Sequence, residues 1–330
     1  MRYKTNLFIL YLLVSSISPI STLLAKHQGL IEEFKIPESV GSTHEITIGP
    51  KKNLWITQQK NSRLIRLTTD GLMTIFNLPK GAGPHGIAWD QKDRLWIGFE
   101  YKNQIAQINA TGKIEKIFLL SAPEAQQFDP HGLCIGPDGK IWWTGKTSNV
   151  IGRLDPETGD VDIFPIEMEK SKPIYISVGP YQNLWFTELL GNHIGRITVD
   201  GEMSRYEIPF ENSRPIVTFR GPKDSIWYTE ENGNAYGTIS QSGIFERFKT
   251  NVPDAKLAGA TFDKFDNLWL QFNTPDIIQR ISPNGEKFTY DLQSKGVIQH
   301  RIIVGPNGNI WFTQLKTDKI GKITVNSGKK

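Results

Sequence analysis

The sequence predicts an all-β protein, a seven-bladed β-propeller of four-stranded blades, and three observations carry that reading. Tryptophans recur as Trp55, Trp96, Trp142, Trp185, Trp227, Trp269 and Trp311, at spacings of 41, 46, 43, 42, 42 and 42 residues. Each follows a turn-forming cluster such as GPKKN (49–53), GPDGK (136–140) or GPNGN (305–309), where Gly, Pro, Asp and Asn supply the dihedrals a hairpin needs. The runs between turns are short and lack a 3.6-residue period. Four strands in about 42 residues make a blade, not a helical solenoid.

Within a repeat the elements follow in order. Strand a precedes the turn (HGIAW, 85–89; HGLCI, 131–135), and strand b carries the tryptophan (NLWFTE, 183–188). Strand c comes next (HIGRIT, 193–198; KIGKIT, 319–324), and strand d is outermost (EMSRYEIP, 202–209). The last repeat stops after its strand c, while IEEFKIP (31–37) stands before the first repeat with the character of a strand d. Pairing these two segments completes the seventh blade and removes an open sheet edge. The periodic tryptophans are expected to pack between blades, each costing ~3–5 kcal/mol if cut back to Ala.

Composition bounds the rest. With 38% hydrophobic and 22% charged residues, 30 Gly and 19 Pro in 330 residues, the chain is folded and rich in turns, which excludes a disordered or coiled-coil protein. A net charge of +4 is too weak to argue for nucleic acid or an anionic surface as partner. A single cysteine, Cys134, excludes an intrachain disulfide and cysteine-paired zinc sites; it is expected buried and inert. Residues 1–25 combine a basic start, an apolar core from Leu7 to Val14 and a cut after Ala25, which reads as a signal peptide. That apolar run is far short of the ~20 residues a spanning helix needs. The expectation is one propeller domain over 26–330, exported to the periplasm or secreted, monomeric, without a membrane span.

The site is marked by what the repeat does not repeat. Strand a lines the channel, and eleven residues before the periodic tryptophans stand His44, His85, His131, Ile174, Ile216, Ala258 and His300. Blade seven adjoins blade one in the ring, so the four histidines form one arc facing an apolar arc. That suits a small-molecule or peptide-like ligand in the central channel. Crowded neutral imidazoles suit a general base or a metal ligand, so His131, His85, His300 and His44 are the candidate catalytic residues. Past the tryptophans, strand b ends in Glu100, Lys146, Glu188 and Glu230 among others. Ile174, Ile216, Glu188 and Glu230 are the candidate substrate-binding residues. Glu100, and Asp129 two residues before His131, are the candidate carboxylates for orienting an imidazole or holding a cation. The bland alternative is that each histidine bonds the backbone of a neighbouring blade.

The units GPHGIAW…LWIGFE and DPHGLCIGPDGKIWWTG, with NLWFTE, HIGRIT and EMSRYEIP of the fourth repeat, resemble the streptogramin B lyase (virginiamycin B lyase) family over residues 30–326. The resemblance implies a seven-bladed lyase that opens the ester of a cyclic depsipeptide antibiotic by elimination, with magnesium. It also implies a histidine base that removes a proton next to a carbonyl while metal and carboxylates stabilise the developing charge. The family's working residues lie in its last two blades. Of those positions His300 is kept, whereas Ala258 stands at the sixth-blade histidine and Ile298 and Gln314 at the two glutamates. Blades two and three reproduce much of the pattern with His85, His131 and Asp129, which makes His131 the expected base and His85 its partner. Two functions stay open: metal-assisted opening of an ester or lactone, and a non-catalytic exported propeller binding a peptide, glycan or partner protein at the channel mouth.

Overall fold

The computed structural model describes residues 30–120 and 127–325, together with the backbone of a short strand, Ala25–Lys26. The remainder of the predicted signal peptide lies outside the described residues. Seven sheets follow one another along the chain, each with an antiparallel core of four strands, and one of them carries a fifth strand. The predicted closure is present: Ile31–Lys35 pairs antiparallel with Lys319–Ile323, from Ile31 opposite Ile323 to Lys35 opposite Lys319. The fifth strand was not expected. Ala25–Lys26 adds in parallel to the outer strand of blade six, Lys287–Asp291. No helix among the described residues is long and apolar enough to cross a membrane.

The tryptophans join each blade to the next. Trp55 packs in one apolar cluster with Ile87, Leu95 and Ile97 of blade two, and Trp96 with Leu133, Ile141 and Trp143 of blade three. Trp311 of the last blade packs with Ile46, Ile56 and Ile65 of the first, so the core is itself a closed ring. Six of the seven are fully buried; Trp227 is half-buried, stacked on Phe248 and edge-on to Phe262. In three blades an acid of the turn caps the indole N–H: Asp90 accepts from Trp96 at 3.0 Å, Asp138 from Trp142 at 3.0 Å and Asp263 from Trp269 at 2.9 Å.

A second repeating device sits at the head of strand c. Asn149 and Asn192 adopt left-handed backbone there, a conformation Asn tolerates well. Their carboxamide oxygens accept from Ser171 Oγ at 2.7 Å and from Ser213 N at 2.9 Å, each on the lead-in to the next blade. At the seam between blades seven and one the equivalent residue is Asp318, which accepts from Gly41 N, from Ser42 N at 2.9 Å and from Thr43 Oγ1 at 2.9 Å.

Candidate functional site

The inner strands Thr43–Ile48, Pro84–Trp89, Pro130–Ile135 and Gln299–Val304 share a defect near their starts. Pairing with strand b jumps from Thr43 to Ile46, Pro84 to Ile87, Pro130 to Leu133 and Gln299 to Ile302. Each histidine falls in that interval. A bulge frees the local backbone and re-aims the side chain, here toward the channel.

The four rings meet. Centroids of His85 and His131 are 3.7 Å apart with planes at 30°, and those of His44 and His85 are 4.8 Å apart at 59°. His44 and His300 are 4.9 Å apart at 65°, and His85 and His300 5.3 Å at 75°. The Nδ1 atoms contact main-chain carbonyls: His44 to Ser42 at 2.7 Å, His85 to His131 at 2.9 Å and His131 to Ile174 at 2.8 Å. A carbonyl only accepts, so Nδ1 carries the hydrogen in all three, and Nε2 keeps its lone pair. His300 differs: its Nδ1 lies 3.3 Å from Glu45 Oε1.

Burial favours neutral rings. It lowers His44 to about 3, with His300 adding to the effect. It also takes His85 well below its ordinary value, helped by His131, and His131 likewise, helped by Lys146. Glu100 moves the other way. Burial raises it, although Lys146 at 3.4 Å and a hydrogen bond from Gln59 at 2.6 Å favour the anion.

The glycines after two of the histidines are part of the same construction. A Cβ on Gly86 would stand 2.5 Å from the His131 carbonyl oxygen, and one on Gly132 would stand 2.7 Å from that of Ile174. Those are the oxygens that His85 and His131 bond. The His–Gly pair thus brings the neighbouring blade's carbonyl close enough to be held.

One residue beyond the histidine position lies a group the sequence reading missed. Arg301 makes two bonds to the Glu45 carboxylate, 2.7 Å and 2.9 Å, and its guanidinium stands 4.0 Å from the Tyr175 ring centroid. Blades one, four and seven are tied through the channel by these three side chains. Burial alone would raise Glu45, but the Arg301 charge and His300 outweigh it and hold the carboxyl well below its usual range. A signal was available, since Glu45 and Arg301 occupy a position where blades two, three and six have Gly86, Gly132 and Gly259.

A cavity of about 300 Å³ opens here, with His131, His300, Lys146 and Arg301 on one side and Ile174, Ile216, Val217 and Ala258 on the other. The polar arc faces the apolar arc, and Ile174 and Ile216 line the cavity as the sequence placed them. Among the described residues, the potential ligand atoms of His85, Glu100 and His131 lie within 4.8 Å of one another, and so do those of His44, His85 and His300. Other candidates sit elsewhere. Glu188 and Glu230 are fully buried inside their blades, each in a two-bond ion pair, with Arg205 and Arg247 respectively. Asp129 accepts from the amides of Thr147 at 2.6 Å and Ser148 at 3.3 Å, which makes it a clasp on the loop after strand b. Cys134 is free, and burial pushes its thiol up.

Comparison with known proteins agrees with this architecture. The model of the Virginiamycin B lyase family matches residues 20–129 and 123–329. A solved streptogramin B lyase superposes with a TM-score of 0.84 at 28% identity, covering 90% of this chain and 98% of that one. Virginiamycin B lyase from Staphylococcus aureus gives 0.82 at 31% identity, covering 90% and 100%. A catalytically inactive variant of that enzyme, solved with quinupristin, gives 0.83 at 31% identity over the same shares. NHL repeat-containing protein 2 of Bos taurus is 30% identical over 95 residues, which is 25% of this chain and 13% of that protein.

Proposed function

The chain belongs to the virginiamycin B lyase family, and from that premise we propose that its channel cavity takes a compact peptide-like ligand and opens an ester in it by elimination. The observation that carries this reading is the pairing, in one cavity, of a neutral imidazole with an apolar wall. His131 is the base. Its Nδ1–H is fixed on the Ile174 carbonyl, so the ring is oriented and Nε2 is the accepting atom. The proton next to the substrate carbonyl moves to Nε2, its electron pair forms the carbon–carbon double bond, and the ester C–O bond breaks to release a carboxylate. Lys146 lines the same cavity and supplies positive charge where the carbonyl oxygen becomes anionic. Glu100, whose carboxylate lies within 4.8 Å of the His131 ligand atom, is placed to take the proton on from the ring.

Magnesium does not fit the residues present. It takes near-octahedral oxygen ligands, yet Glu45 is committed to Arg301, Asp129 to two backbone amides, and Glu188 and Glu230 to arginines. Among the described residues only Glu100 remains beside the rings, and it is held by Gln59 and Lys146.

A second reading, a non-catalytic propeller binding at the same mouth, is favoured by Ala258, Ile298 and Gln314 at family working positions. In either reading residues 1–25 direct export and the closed ring acts as a monomer. An assay of ring opening with quinupristin tests the choice. His131→Ala should lower turnover ~10²–10⁴-fold. Activity lost only in His300→Ala would return the base to the kept family position. Binding without turnover in the wild type would establish the second reading.

A further inference from the structure

We propose that His44, His85 and His300 form a three-histidine site for a divalent transition metal of the zinc class, at the junction of blades seven, one and two and open to the channel cavity. The geometry of the rings carries this. A zinc ion sits about 2.0–2.1 Å from an imidazole nitrogen, hence about 3.2 Å from the ring centroid, and three rings on tetrahedral directions then stand about 5.2 Å apart. The three centroid separations are 4.8, 4.9 and 5.3 Å, with planes inclined by 59–75°. This is the spacing of a tripod. His131 stands outside it, because its ring centroid is only 3.7 Å from that of His85, well short of the tripod spacing, with the planes inclined by 30°. The candidate ligand atoms of the tripod already lie within 4.8 Å of one another. Bound nitrogens would be about 3.4 Å apart, so closure needs only ångström-scale ring rotations.

The second observation lies behind the rings. A metal-binding histidine characteristically donates its other N–H to a carbonyl or carboxylate, which fixes the tautomer and makes the ligating nitrogen more basic. His44 and His85 do this with the Ser42 and His131 carbonyls. His300 Nδ1 stands 3.3 Å from Glu45 Oε1, on a carboxylate that Arg301 grips with two bonds. The rings of His44 and His85 are thus held from behind, leaving Nε2 with its lone pair. Three imidazoles suit zinc, copper, nickel or iron and not magnesium. Around the tripod stand Glu45, 3.3 Å from His300, and Glu100, grouped with His85, which favour a cation, and Lys146, 3.4 Å from Glu100, which opposes one. Three protein ligands would leave a fourth position for water or a ligand oxygen, on the side where His300 borders the cavity.

The inference does not rest on the lyase reading, and its test uses no substrate. Chelator-stripped protein is titrated with zinc alone, and separately with cobalt(II) followed by its visible absorption. One equivalent should bind, with the intense bands of a four-coordinate cobalt site, and excess magnesium should not displace it. His44→Gln and His300→Gln should each weaken binding at least tenfold while unfolding at nearly the wild-type temperature. His85→Gln is the less informative variant, since His85 also holds the next blade. No stoichiometric binding, binding unchanged in both variants, or displacement by magnesium would each overturn the assignment.

Discussion

The junction between blades seven and one and the junction between blades two and three both carry a histidine pair, but they are built differently. At the first, Thr313 Oγ1 donates to the His44 carbonyl at 2.6 Å, so the backbone is tied without either imidazole. Blades one, four and five use the same threonine tie, from Thr57 to His85, Thr187 to Ile216 and Thr229 to Ala258. At the second, strand b has Gly98 in place of the threonine, because a Cβ there would stand 2.8 Å from the Pro130 carbonyl oxygen. The tie is made instead by His85 Nδ1 on the His131 carbonyl. The lesson is that the histidine arc is not one functional object. His85 and His131 hold the next blade's backbone as well as facing the channel, whereas His44 bonds within its own blade and His300 approaches only a side chain of the next one, Glu45, which argues that their chemistry is directed at a ligand.

The sharpest way to break this contrast is at the seven–one junction, where the buried Glu45–Arg301 pair does the tying that the imidazoles do not. Arg301→Ala strands a buried carboxylate and should cost about 3–5 kcal/mol, while replacing both residues by apolar ones of similar volume should recover most of it. Denaturant unfolding measures both. A loss below about 1 kcal/mol in the single variant would show that the pair is not a structural tie. The next effect is smaller and compares the junctions directly. His85→Ala removes the donor to a buried carbonyl and should cost about 1–3 kcal/mol. His44→Ala removes a bond that stays within blade one, from Nδ1 to the Ser42 carbonyl, and should cost less than His85→Ala. Equal losses would mean that the two junctions are alike and the division of labour is wrong.

Much of this was legible in the sequence, for reasons the two junctions make plain. The tryptophan period, the turns and the orphan strand 31–37 specify blades and closure because a propeller has one repeating unit and one seam. The histidine arc was legible because equivalent positions can be counted from the tryptophans. Glu188 and Glu230 were misplaced by a parity error. They stand three residues past the tryptophan, whereas Glu100 and Lys146 stand four past, and a one-residue shift along a strand sends the side chain to the other face. Their true partners, Arg205 and Arg247, each lie seventeen residues on, a repeat within blades four and five that was there to be seen. The Glu45–Arg301–Tyr175 group was hidden for another reason. It joins blades far apart in sequence: the charges at the glycine position mark Glu45 and Arg301 as exceptions, but no local pattern announces that they meet each other and Tyr175 across the channel.

The smallest expected effect concerns the staple at the head of strand c, where the seam again differs from an interior junction. Asn149 and Asn192 staple with a carboxamide that does not titrate, but Asp318 staples the seam with a carboxylate, as Asp276 does between blades six and seven. Burial alone would raise Asp318, yet hydrogen bonds from Ser39 and from the Ser42 and Gly41 amides outweigh it and hold it below its ordinary 3.8. A carboxyl depressed in the folded state stabilises fully above its unfolded pKa, and that contribution is lost as pH falls through the folded value. The seam should therefore loosen below about pH 4. Glu33, depressed by Ser294, Lys319 and Gln314 against the effect of its burial, acts in the same direction on the closing strand. Asp318→Asn keeps an acceptor and loses the charge, so it should lower stability by about 1 kcal/mol at neutral pH. The difference from wild type should shrink as pH falls toward 3, because protonation removes the same charge. Melting temperatures of both proteins from pH 7 to pH 3 measure this: converging curves support a titrating seam, and a constant offset would show that the Asp318 charge contributes nothing to ring closure.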